Sequence, residues 1–141
     1  MPLPKEELYT IGDIYSLPEG ERAELIDGQI YDMAPPSRHH QEISMELSTA
    51  IQSYIRSKKG NCRVYAAPFA VQLDEDSHTY VEPDISVICD PNKLDERGCK
   101  GAPDWIIEIA SSGTKRIDYG VKLFKYHSAG VREYWIVNPL T

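Results

Sequence analysis

Cysteine is scarce in this chain: 3 in 141 residues, with no CxxC spacing among them. That excludes a zinc knuckle and leaves no even set for a disulfide framework. Cys62, Cys89 and Cys99 are therefore expected as buried or free thiols in a reducing cytosol. Long apolar runs are missing too. None approaches the roughly 20 residues that cross a bilayer, and the opening MPLPKEELYT lacks the apolar centre of a signal peptide. The expectation is a soluble, cytoplasmic protein with no membrane partner. Positive charge is in deficit, with 15 Lys and Arg against 22 Asp and Glu, a net charge of −7. Phosphate binding rests on clustered basic side chains, so this balance excludes a surface that coats nucleic acid as a whole, while a local basic groove stays open. Walker, dinucleotide-binding and Ser-His-Asp signatures are absent. Nucleotide hydrolysis, hydride transfer and triad chemistry therefore have no support. There is no internal repeat and no low-complexity tract.

What remains is a composition fit for folding. Apolar residues make up 41% and charged residues 26%, which excludes a disordered chain, and the length suits a single domain over residues 1–141 with one core. Residues 8–19 read as a short helical turn begun near Thr10 and stopped by Pro18. Asp27-Gly28 sits between two apolar runs and supplies the positive φ angles of a two-residue turn, which predicts a hairpin at about 23–33. Pro35-Pro36-Ser37 breaks the pattern, and Ser37 is a natural N-cap for a helix at about 38–58. On that helix Ile43, Leu47, Ala50, Ile51, Tyr54 and Ile55 recur at three-and-four spacing and mark one apolar face. A strand-like stretch from Cys62 to Leu73 contains Pro68, which suggests an edge or bulge, and an acidic loop, DEDSHT, closes it. Two strands, about 83–89 and 104–110, then form a hairpin joined by a polar connection. A loop at 111–116, a helix at about 117–129 and a final strand at about 132–138 complete the pass. The strand–helix–strand order implies a parallel crossover, so the fold class is α/β (α+β) with a mixed sheet. The chain stops directly after its last strand. The expectation is either a C-terminally shortened chain or an edge covered by another copy, as in a homodimer.

The chemistry concentrates between Val81 and Lys122. Pro83-Asp84 opens one strand and Glu108 interrupts the next, WIIEIA, so antiparallel pairing would set the two carboxylates side by side. Taken singly, Asp84 begins a strand and Glu108 is an ion-pair partner. Together they would repel unless a cation lay between them, which favours a metal. Phosphodiester cleavage needs a nucleophilic water, charge neutralisation and help for the leaving oxygen, which Mg²⁺ held by carboxylates supplies. On the following helix Asp118, Lys122 and Tyr126 are spaced four apart on one face. Alone they read as a surface Asp–Lys pair; so close to Glu108, Lys122 could turn back over the carboxylates. Glu24 would point inward if the first hairpin strand alternates. His39 and His40 cannot face one ligand from a helix, so one is expected exposed and one packed, with His40 and Glu24 bordering the cleft. The loop SSGTKR could meet a phosphate through its backbone N–H groups, although such loops are mostly turns.

Four blocks, AELIDGQIYDMAPPSRHHQ, VEPDISVICDP, GAPDWIIEIASSGT and DYGVKLFKYHSAGVREYWIVNP, occur in the order that resembles the Uma family of restriction endonucleases, a bacterial branch of the PD-(D/E)XK nuclease superfamily. The resemblance runs from about residue 10 to the end. It implies a restriction-endonuclease-like fold, a mixed sheet flanked by helices, and a Mg²⁺-dependent endonuclease acting on DNA, with Mn²⁺ able to substitute. Pro83-Asp84 then corresponds to the PD element and Glu108 to the second acid. The backbone carbonyl of Ile109 would be a further metal ligand. The lysine usual two positions after the acid is replaced by Ala110, and a D-x-x-x-K-x-x-x-Y pattern, here Asp118, Lys122 and Tyr126, stands in for it. Two departures accompany the match: Ser111-Ser112-Gly113 replaces the family's Ser-Pro-Ser, and the family usually continues with further strands. The competing expectation is a nuclease-like protein that has lost catalysis and serves in binding or dimerisation.

Overall fold

The computed structural model describes residues 8–33, 35–73, 77–110 and 116–139, with the side chains of 116–119 left aside. A short helix α1 (Ile11–Tyr15) follows Thr10, whose backbone N–H donates to Asp13 Oδ2 at 2.8 Å. Strands β1 (Ala23–Ile26) and β2 (Gln29–Asp32) form the expected hairpin, paired from Ala23↔Asp32 to Ile26↔Gln29. Asp27 and Gly28 take φ angles of 48° and 80°, as that turn requires. Helix α2 (Arg38–Ser57) is capped by Ser37, whose side chain accepts from the His40 N–H at 3.1 Å.

The apolar face of α2 differs from the expected one. Ile43, Leu47, Ile51 and Ile55 are half-buried, but Ala50 and Tyr54 face solvent, and the Tyr54 ring is 65% exposed with the Lys58 ammonium 5.9 Å from its centroid. The helix rests on the sheet along a narrower stripe than the six positions suggested, because Ala50 and Tyr54 sit on its far shoulder.

The stretch 62–73 also resolves differently, as two strands in two sheets: β3 (Arg63–Ala66) and β4 (Ala70–Gln72), parted at Pro68. Next come β5 (Tyr80–Val81), β6 (Ile85–Ile88), a 3₁₀ turn at Pro91–Lys93, β7 (Gly98–Lys100), β8 (Trp105–Ile109), helix α3 (Arg116–Ala129) and β9 (Glu133–Val137). Among the described residues, the strands form a five-stranded sheet ordered β2-β1-β5-β4-β7 and a four-stranded sheet ordered β3-β6-β8-β9. Both are mixed: β4 runs parallel to β7 and β8 parallel to β9, and the other pairs are antiparallel. The polar connection expected between 89 and 104 therefore contains a strand. At Gly98 an added Cβ would meet the Ala70 carbonyl oxygen at 2.1 Å, so only glycine lets β7 lie this close to β4.

The core packs Ile26, Val71, Val81, Ile88 and Ile106 from both sheets against Tyr126 of α3, whose side chain is fully buried. β8 is buried along almost its whole length, which explains its near-continuous apolar sequence. β9 closes the four-stranded sheet at an edge and leaves Trp135 48% and Ile136 46% exposed.

The cysteine expectation is corrected. Cys62 and Cys89 are joined in a disulfide with Cα atoms 4.0 Å apart, and only Cys99 is free and buried. The β3–β6 register, Arg63↔Ile88, places residues 62 and 89 opposite one another, a proximity that spacing in the chain does not reveal. With a sequence separation of 27, closing this loop is expected to stabilise the fold by roughly 3.5 kcal/mol through the unfolded chain. Urea unfolding with and without reductant measures it, and coincident midpoints would rule the contribution out. Cys99 keeps its proton, since burial pushes its thiol up to about 11.

Candidate active site

The β6–β8 register carries the site. Ile85 faces Ile107, so one step outward Asp84 lies opposite Glu108. The placement is fixed at both ends of Asp84: its carbonyl accepts from the Ala67 N–H at 2.9 Å, and its Oδ2 accepts from the Ile109 N–H at 2.7 Å. The expected hairpin thus sets the two acids side by side and brings the Ile109 backbone against Asp84.

His40, from the first turn of α2, places Nε2 3.0 Å from Asp84 Oδ1. His39 faces solvent. In this geometry the Nε2–H donates to the carboxylate, and the buried Nδ1 has no hydrogen-bond partner among the described residues.

Lys122 leaves α3 and lies between two carboxylates, with Nζ 2.7 Å from Glu24 Oε1 and 3.4 Å from Glu108 Oε1. One turn on, the Tyr126 hydroxyl donates to the same Glu108 oxygen at 3.1 Å. Helical spacing explains why 122 and 126 act on one acceptor. Asp118, the third member of that series, has a side chain outside the described residues, as does the whole SSGTKR loop up to residue 115. Glu24 is inward as expected, but by a different route: all four residues of β1 are buried, so the strand is covered on both faces rather than alternating. Its Oε2 accepts from the Glu82 N–H at 2.9 Å.

Glu24 and Glu108 are 5% and 7% exposed. Burial pushes the Glu108 carboxyl well above the usual carboxylate range; the Lys122 ammonium pulls it back, and Glu24 and Asp84 add to the rise. For Lys122, burial alone would lower the ammonium, yet the charges of Glu108 and Glu24 outweigh it and the group is held above its ordinary value. The lysine is thus the member that stays charged, since two carboxylates flank it. The Tyr126 phenol is raised by burial and by Glu108, so it remains a donor.

Asp84 and Glu108 offer only oxygen, a donor set suited to a hard cation such as Mg²⁺, which retains several of its own waters. Among the described residues no three His, Cys, Asp or Glu side chains form a ready cage. The residues fit a two-carboxylate site completed by main-chain oxygen and water.

Two contributors escape a reading of the sequence. Arg22 Nε holds Glu82 Oε2 at 3.2 Å, and Glu82 in turn supports Glu24 through its backbone. The one available signal was that Glu82 sits two residues before Asp84 in an extended segment, and so on the same side.

Residues 7–141 match the model of the Uma2 family, described as "Putative restriction endonuclease". A Synechocystis sp. protein, "Uncharacterized protein slr1290", is 31% identical over 119 residues, which are 84% of this chain and 61% of that protein. The chain thus spans about three-fifths of that relative's length. A crystal structure from Anabaena variabilis, titled as a putative nuclease belonging to DUF820, superposes with a TM-score of 0.75 at 24% identity. The alignment covers 92% of this chain and 74% of that one. At that identity the likeness shows the fold, which is restriction-endonuclease-like.

Proposed function

The chain belongs to the Uma2 restriction endonuclease family, and from that membership and the arrangement around Asp84 we propose that it hydrolyses phosphodiester bonds in DNA as a divalent-metal-dependent endonuclease. The observation that carries the reading is the convergence of Glu24, His40, Glu108 and Lys122, from four separate elements, with Asp84, from the residue before β6, on one polar centre.

Asp84 and Glu108 would hold the cation, with the Ile109 carbonyl as a further ligand. When bound, Mg²⁺ or Mn²⁺ supplies an activated water and neutralises charge on the phosphate. His40 orients Asp84 through its Nε2–H, and Tyr126 orients Glu108 through its hydroxyl. Lys122 holds its proton firmly, so its role is to position the attacking water and to stabilise developing negative charge rather than to act as a base. Glu24 aims the ammonium, because it accepts the shorter of the two lysine contacts.

The test is cleavage of supercoiled plasmid by the full-length natural protein. Nicking or linearisation is expected with Mg²⁺ or Mn²⁺ and is expected to vanish in EDTA. Equal cleavage in EDTA, or none with either metal on double- or single-stranded DNA, would sink the reading. A second reading, a nuclease-like protein used for dimerisation, draws on the exposed Trp135 and Ile136 of the edge strand β9. Light scattering decides it, since a strict monomer at high concentration counts against it.

A further inference from the structure

A cavity of about 430 Å³, within the size range of small-ligand sites, has Pro68, Phe69, Tyr80 and Glu82 in its lining. Tyr65 and Phe69 line it as a stacked pair, with ring centroids 4.3 Å apart and planes 6° from parallel. Tyr80 lines it too. Burial pushes the Tyr80 phenol up to about 12, so it keeps its proton and stays a donor. The polar groups are mostly acidic, with Glu82, Asp95 and Glu96 against the single guanidinium of Arg97, which lies 4.3 Å from the Tyr15 ring centroid.

The cavity is tied to the candidate centre by backbone. Glu82 lies two residues before Asp84, about 7 Å of extended chain, and its N–H donates to Glu24 at 2.9 Å. Pro68 of the lining follows Ala67, whose N–H holds the Asp84 carbonyl at 2.9 Å. Behind Glu82, the buried Arg22 Nη2 has no hydrogen-bond partner among the described residues, and Glu82 is held by Arg22 through Oε2 alone.

Three carboxylates repel a phosphate, so the occupant is not a nucleic-acid backbone. A flat aromatic platform suits a neutral ring with two π faces. Carboxylates accept hydrogen bonds, which favours rings whose edge donates: cytosine, adenine and guanine carry an exocyclic amine, whereas thymine has only its ring N3–H. We propose that this cavity is a nucleobase subsite that takes one unpaired, amine-bearing base beside the Tyr65–Phe69 platform, with its amine on the Glu82 carboxylate. The substrate class rests on the nuclease reading. The consequence is a preference for DNA in which a base near the cut is already unpaired or is readily turned out of the helix.

The experiment is a ligand-observed NMR titration of the intact chain with deoxycytidine, deoxyadenosine, deoxyguanosine and thymidine in EDTA, free of metal and phosphate. Thymidine is expected to bind about tenfold more weakly than the amine-bearing nucleosides, and Phe69→Ala to weaken those about tenfold. Equal binding of all four, or no binding, overturns the subsite. If Phe69→Ala fails to fold, the selectivity of the unaltered chain decides alone. Metal-dependent cleavage without nucleoside selectivity removes the subsite and leaves the nuclease reading; selectivity without cleavage does the reverse.

Discussion

Glu108→Gln is expected to lower metal-dependent DNA cleavage about 10²- to 10³-fold, the scale seen when one pre-organised group that stabilises a transition state is removed. The replacement is nearly isosteric. Its amide oxygen can still accept from the Tyr126 hydroxyl, which now reaches Glu108 Oε1 at 3.1 Å, and Lys122 retains Glu24 at 2.7 Å. What disappears is the charge opposite Asp84. That charge is unwelcome in the resting protein, since burial pushes the carboxyl upward. The thermal midpoint of the variant should therefore be unchanged or raised while activity collapses, the pattern expected where function is bought with local instability. Initial rates on plasmid together with thermal melts test both halves; a rate within tenfold of the parent removes Glu108 from the proposed centre.

Lys122→Met is expected to destabilise the fold by about 3–5 kcal/mol above pH 8, because it leaves two buried carboxylates without their shared cation. The side chains involved are almost wholly enclosed, at 12% exposure for Lys122, 6% for Glu24 and 9% for Glu108, so solvent screening offers little relief. The loss should depend on pH, and its direction follows from Glu108. A carboxyl whose folded pKa lies above its unfolded value binds its proton more tightly when folded, so stability falls as pH rises from the unfolded value toward the folded one. Removing Lys122 takes away the main influence holding that folded value down and widens the window. Toward pH 5 Glu108 is neutral in both folded proteins, so the defect it carries opens as pH rises through the parent's folded value of about 8 and is greatest above it. Urea titrations from about pH 5 to about pH 9.5 measure it, and a pH-independent loss would contradict the assigned pairing.

The parts legible in the sequence were those set by local chemistry. Asp27-Gly28 marked a turn because its φ angles of 48° and 80° suit few other residues, and Ser37 marked a helix start because its side chain satisfies an orphan N–H. The approach of Asp84 to Glu108 followed from a short antiparallel pairing whose apolar runs fixed the register. The remainder depends on contacts distant in sequence. β5 has two residues and β7 reads Gly-Cys-Lys, so neither shows a period; each exists because β4 lies beside it. Pro68 signalled an irregularity but not that the chain changes sheets there. Which of His39 and His40 faces inward depends on how α2 is rotated on the sheet, and the Cys62–Cys89 link depends on the β3–β6 register. Arg22 left no signal and Glu82 only its spacing from Asp84, because their role runs through the Glu82 backbone N–H to Glu24.

The cation of this centre arrives on a helix while the acids arrive on strands, and that division has a dynamic consequence. Lys122 and Tyr126 belong to α3, which is joined to the sheets by packing and by its polar contacts, including Lys125 Nζ to Asp27 Oδ1 at 2.6 Å. If α3 lifts away, the ammonium and the phenol leave together, while Asp84 and Glu108 stay in place on the ladder. Partial opening, well short of global unfolding, is enough to dismantle the constellation. Enzymatic competence would then fade on warming before the sheets melt, and amide hydrogen exchange along α3 would follow its loss more closely than any probe of the β-structure.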